Sequence, residues 1–125
     1  MEYFFDNERP IYLQIVEGIK KDIVSGALKP GERMLSVREY ALKAKVNPNT
    51  MQKALMELER ENLVYTERTS GKYITTDKRI IQKLRQKIIQ EKLDNFFKDM
   101  KSIGVNENEL EQIIKMKGEE YKKWN

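Results

Sequence analysis

Two helix-start signals lie close together near the middle of the chain, and no other feature limits its fold as much. Ser36-Val37-Arg38-Glu39 has the form of a capping box: the Ser36 hydroxyl accepts from the backbone N–H of Glu39, whose carboxylate reaches back to Ser36. Val46-Asn47-Pro48-Asn49-Thr50 then breaks that helix and starts another, with Asn47 at the cap and Pro48 where no intrahelical donor is needed. The first of the two helices is therefore short, with Val37, Ala41 and Leu42 turned inward. In the second, Met51, Ala54, Leu55 and Leu58 recur at helical spacing up to Asn62, a residue tolerant of the left-handed end conformation.

Upstream, Pro10 opens a helical pattern. Ile11, Ile15, Ile19 and Ile23 recur on one face beside Tyr12 and Val16. Ser25-Gly26 ends it, and Leu28-Lys29-Pro30-Gly31-Glu32 reads as a turn. Downstream, Leu63-Val64-Tyr65-Thr66 and Lys72-Tyr73-Ile74-Thr75-Thr76 are β-branched and aromatic, with Glu67-Arg68-Thr69-Ser70-Gly71 between them. This predicts a hairpin with a loop of about five residues. Helix, helix, turn, helix, hairpin is the order of a winged helix-turn-helix domain. Residues 1–76 are assigned to it, and the expected fold class is mainly α with one small β-hairpin.

From Asp77 the pattern is helical to the end, so residues 77–125 form a second region. Ile81, Leu84 and Ile88 make one stripe; Ile89, Leu93, Phe96, Met100 and Ile103 continue at alternating four- and three-residue steps, with Phe97 alongside. Gly104 ends the helix, and Asn106-Glu107-Asn108-Glu109 offers a second capping box. Leu110, Ile113, Ile114, Tyr121 and Trp124 face one side of a last helix. The long helix, roughly 26 residues at about 1.5 Å each, extends about 39 Å, and a partner helix of about 18 residues cannot cover its whole stripe. The remainder predicts self-association through a two-helix dimerisation hairpin.

Composition removes whole classes of chemistry. The chain has 125 residues with no cysteine and no histidine, which excludes disulfides, zinc-finger sites, thiol nucleophiles and imidazole bases. No acidic cluster has calcium-loop spacing, no nucleophile–base pair or phosphate-cradling loop is visible, and no enzyme, metal or cofactor is expected. No apolar run approaches the ~20 residues of a membrane span, and Met1–Asp6 lacks the basic start and apolar stretch of a signal peptide. The expected location is cytoplasmic. The net charge of +4 hints weakly at a polyanionic partner, yet residues 1–77 hold 12 Lys+Arg and 12 Asp+Glu. The excess belongs to the tail. Within 34–53, however, Arg38, Lys43, Lys45 and Lys53 face one acid, Glu39, while Glu57, Glu59 and Glu61 cluster at the other end of the third helix. Charge is thus sorted along the helix pair, as a DNA-facing surface needs.

Residues 10–76 resemble the GntR family of bacterial transcription regulators. The resemblance rests on Pro10-Ile11-Tyr12-Leu13-Gln14-Ile15, Ser25–Arg33, Ser36-Val37-Arg38-Glu39, Val46–Glu59 and Leu63–Thr66, in this order and at these separations. The tail is similar to that of the YtrA subfamily, a short two-helix piece in place of a large metabolite-binding domain. The resemblance implies a dimeric repressor of transcription, with transporter genes as an associated target.

It also implies site residues. Arg38 falls where the family enters the major groove, and a guanidinium there pairs bidentately with guanine; a solvated helix-surface arginine is the competing reading. Ser36 contacts a phosphate, caps its helix, or does both. Asn47, Asn49 and Thr50 stand at the start of the recognition helix, where backbone donors favour phosphate, although Asn47 also serves as a plain cap. Family members often carry arginine where this chain has Pro48 and Gln52, so readout shifts toward Asn49, Gln52 and Arg38, with Gln52 suited to adenine and Lys53 to phosphate. Arg68, Ser70, Gly71 and Lys72 resemble a basic wing tip, with a solvated hairpin as the alternative. The leading reading is a homodimer on double-stranded DNA, reading a pseudo-palindromic operator, with no membrane and an unidentified small-molecule effector. Two others compete: a winged-helix module whose tail docks a different protein, and a sensor with a ligand between the tail helices.

Overall fold

A computed structural model describes residues 4–123, which fall into two units divided after Gln86. Trp124 lies outside the described residues. In the first unit, α1 (Ile11–Ser25) begins one residue after Pro10, whose carbonyl accepts from the N–H groups of Leu13 and Gln14. Its buried face holds Ile15, Val16, Ile19 and Ile23 as expected, and also Gln14. The Gln14 amide accepts from Asp6 N–H at 3.0 Å and donates to the carbonyls of Asp6 (3.0 Å) and Arg9 (2.9 Å), tying the leader to the helix. Gly26, at φ 85°, ends α1.

Next come α2 (Val37–Ala44) and α3 (Pro48–Arg60), both packed on one another, with α1 against α3. The capping box at Ser36 is present in both arms: Ser36 Oγ accepts from Glu39 N–H at 3.1 Å and Glu39 Oε1 from Ser36 N–H at 3.2 Å. The inward face of α2 differs from the expected one. Tyr40, Ala41 and Ala44 are buried, whereas Leu42 is 75% exposed. Two turns of helix are too short for a period to choose between neighbouring faces, and the larger Tyr40 ring takes the core position. The α2–α3 turn is closed by Lys45 at φ 56°, a conformation non-glycine residues seldom adopt, with Val46 N–H donating to Ala41 O at 3.0 Å. Met51, Ala54, Leu55 and Leu58 are all buried, and Asn62 takes φ 63° after the last turn of α3.

The hairpin consists of β1 (Val64–Glu67) and β2 (Gly71–Ile74), antiparallel, with Val64 opposite Ile74 and Glu67 opposite Gly71. Pairing reaches the tip, so residues 68–70 alone form the loop, shorter than the composition suggested. The end of the turn and the two residues after it add a third edge: Arg33 bridges Tyr73, Met34 N–H donates to Lys72 O at 2.8 Å, and Ile74 N–H donates to Glu32 O at 2.9 Å. Residues 32–34 thus line the free edge of β2. Leu28, Met34, Leu63, Val64 and Ile74 complete the core between hairpin and helices. Burying each large aliphatic chain there stabilises by roughly 1.5–3 kcal/mol.

The chain then enters α4 (Lys78–Ser102), whose first turns place Ile80, Ile81 and Leu84 against the first unit's core. In the second unit, α4 runs on to Ser102, Gly104 (φ 85°) lies in the turn after it, and α5 (Glu107–Lys122) follows. Asn106 Oδ1 accepts from Glu109 N–H at 2.9 Å, capping α5. No residue of either helix is buried. Ile89, Leu93, Phe96, Phe97, Ile103, Ile113, Ile114 and Tyr121 are exposed; Met100 and Leu110 are intermediate.

Candidate nucleic-acid interface

The residues expected to meet DNA stand on three elements of the first unit. At the start of α2, Arg38 is exposed, and Ser36 Oγ accepts from the backbone while its hydroxyl proton stays available to donate. The Ser36 N–H holds the Glu39 carboxyl below its ordinary range, so this acid remains ionised beside Arg38 and fastens the helix start. At the start of α3, Asn47 Oδ1 accepts from Asn49 N–H at 2.7 Å. Asn47 is therefore a cap, and it is exposed. Asn49 and Gln52 are exposed and Thr50 half-buried. Lys53 is exposed as well, but its ammonium lies 4.0 Å from the centre of the Tyr12 ring on α1, a cation–π contact absent from the sequence reading.

The wing departs most from expectation. Tyr65 and Tyr73 stack at 5.6 Å, and the Tyr73 hydroxyl donates to Ser70 Oγ at 2.9 Å, which fixes the loop. Arg68 is exposed. Lys72 instead turns to α3: its ammonium lies 2.5 Å from Glu59 Oε1 and 2.9 Å from Thr66 Oγ1, with 17% of the side chain exposed. This contact, with Thr66, holds Glu59 below the usual carboxylate range. Gly71, at φ 114°, has the guanidinium of Arg33 beside it: a Cβ there would sit 3.6 Å from Nε and 3.7 Å from Nη2. Arg33 was not a candidate, because it lies between the turn read over 28–32 and the cap at Ser36, where no element gives a side chain an expected direction. The alternation of charged Arg33 with apolar Met34, ahead of a two-stranded hairpin with a free edge, is the signal that would have found it.

Electrostatically the unit is sorted more sharply than its sequence. Each acid at the far end of α3 has a cation: Glu57 with Arg60, Glu59 with Lys72, and Glu61 with Lys20 at 2.9 Å. Among the described residues, no ion pair involves Arg33, Arg38, Lys43, Lys45, Lys53 or Arg68. Cations left without ion pairs around the starts of α2 and α3 make a surface that attracts a polyanion. Among the described residues no helix is long and apolar enough to cross a membrane, and no cluster of acids is placed to hold a metal.

The family model for bacterial regulatory proteins, gntR family, matches residues 11–74, the span of this winged domain. The chain belongs to the GntR family. Its resemblance to other GntR-family proteins extends beyond that domain. The chain is 40% identical to the HTH-type transcriptional regulator YhcF of Bacillus subtilis, across 92% of this chain and 95% of that protein. It is 38% identical to the HTH-type transcriptional repressor YtrA of the same organism, across 85% and 82%. The solved structure of a GntR family transcriptional regulator from Listeria monocytogenes superposes with a TM-score of 0.82 at 43% identity, covering 90% of this chain and 98% of that one. The DNA-binding domain of AraR, solved in complex with an operator, shares the fold, with a TM-score of 0.55 at 23% identity over 60% of this chain and 95% of that one. This GntR-family chain is a DNA-binding regulator of transcription and not an enzyme.

Proposed function

We propose that the protein is a homodimeric, cytoplasmic repressor that reads a pseudo-palindromic operator through Arg38, Asn49 and Gln52, with Ser36, Asn47, Thr50 and Lys53 on the backbone. The observation that carries this reading is the row of exposed cations without ion pairs at the starts of α2 and α3, opposite acids that are already paired. Such a row positions the protein on phosphates, while side chains at the helix start reach base edges. The AraR domain, which shares the fold, is solved with an operator. Repression is supported by similarity to the repressor YtrA. The transporter-gene association rests on family resemblance alone. Dimerisation is supported by the open apolar face of α4 and α5, from Ile89 through Phe96 to Ile113.

The test is selection of duplexes from a random-sequence library by the full chain, followed by titration of variants. Arg38→Ala is expected to weaken binding to the enriched duplex by about 1–3 kcal/mol and to relax base preference. Parent-like affinity and preference in Arg38→Ala would remove it from the reading head. The same open face also fits a module that docks a different protein; a chain that sediments as a monomer at micromolar concentration would favour that reading.

A further inference from the structure

We propose that Arg33, and not Lys72, supplies the second cation, beside Arg68, with which the wing holds nucleic acid; the inference rests on the DNA-binding reading above. The sequence offers the hairpin two cations of its own, Arg68 and Lys72. The second is already used. Its ammonium bridges Glu59 and Thr66 in a largely sheltered pair, and a phosphate that drew it away would leave the Glu59 carboxylate unpaired and facing a polyanion.

Arg33 lies along the other edge of β2. The hydrogen bonds from Met34 N–H to Lys72 O and from Ile74 N–H to Glu32 O hold its backbone, and its bridge to Tyr73 fixes the register. From there the side chain reaches the end of the loop, where its Nε and Nη2 lie against Gly71. The positive φ of Gly71 disfavours any side chain, so this stretch of backbone stays bare and the guanidinium occupies the space. Arg33 is exposed, and among the described residues it has neither a hydrogen bond nor an ion pair. The acid whose field it feels, Glu39, is occupied by the Ser36 N–H. A planar fork of donors, propped on a fixed hairpin and left unsatisfied, suits bidentate capture of a phosphate. The strand before α2 thereby restores to the wing the charge that α3 takes from it.

The experiment uses the full chain and a fluorescein-labelled duplex enriched by the parent from a random library, titrated by anisotropy across a KCl series. Arg33→Ala is expected to weaken binding roughly tenfold and to lower the slope of log K against log salt by about one. Arg33→Lys is expected to keep the slope and lose part of the affinity, whereas Lys72→Met keeps the slope and lowers the melting temperature. Parent affinity and slope in Arg33→Ala, or an equal loss of slope in Lys72→Met, overturns the inference while the DNA-binding reading stands. Failure of the parent to enrich any duplex overturns both.

Discussion

Asp22 sits in the last turn of α1, where the helix carbonyls present negative charge and no basic side chain answers them. Its Oδ2 is buried without a hydrogen-bond partner, and burial raises its pKa above the ordinary 3.8. A carboxyl whose folded pKa is raised destabilises the fold while ionised, and the penalty is relieved as pH falls through that raised value. Asp22→Asn is therefore expected to stabilise at neutral pH by about 0.3–1 kcal/mol, the usual range for removing an unfavourable charge at a helix end. The gain should vanish at acid pH, where Asp22 is protonated; thermal melts at the two pH values check both halves. Residues of this kind also mark where the sequence falls silent. Gln14 and Lys72 are defined by partners eight and thirteen residues away, and neither periodicity nor charge counting records a partner.

At the scale of elements, α2 depends on how it starts. It has eight residues, too few to be stable alone, and both arms of its capping box are made. Ser36→Ala is expected to cost about 1 kcal/mol in chemical denaturation and to loosen Arg38 along with the helix start. Because Glu39 has a depressed pKa, its support is complete above the ordinary carboxylate value of 4.5 and is lost as pH falls through the lower, folded value. Glu39→Gln, which has no carboxylate to protonate, should flatten that acid limb, whereas Ser36→Ala keeps the backbone N–H and most of it. The start and stop signals at Ser36, Asn47, Asn62 and Gly104 were legible because caps are local chemistry, set by residues a few positions apart. The inward face of α2 and the third edge beside β2 were not, since Tyr40 and Arg33 take their places from packing across the domain. The same limit applies to the candidate site: the starts of α2 and α3 could be read directly, whereas the division of labour between Arg33 and Lys72 required the folded hairpin.

For the whole molecule, the apolar face of the tail is the largest unmet demand. Leu93 and Phe97 are each 43% exposed, and Phe96 and Ile89 37%. Covering the remaining two-fifths or so of each in a second copy stabilises by roughly 0.6–1.2 kcal/mol per side chain, and a symmetric dimer holds two copies of each. Leu93→Glu, which also places a charge in the seam, is therefore expected to raise the dimer dissociation constant by at least about tenfold. Sedimentation equilibrium of parent and variant measures this, and equal masses would send the search for a partner elsewhere. The far end of α3 has the opposite character: its acids are satisfied within the fold, two of them in sheltered pairs with Lys20 and Lys72. Screening by mobile ions weakens exposed, long-range attraction far more than such sheltered contacts. Ionic strength thus acts on occupancy and leaves architecture alone: a rise in cellular salt can empty the binding site without melting the protein that filled it.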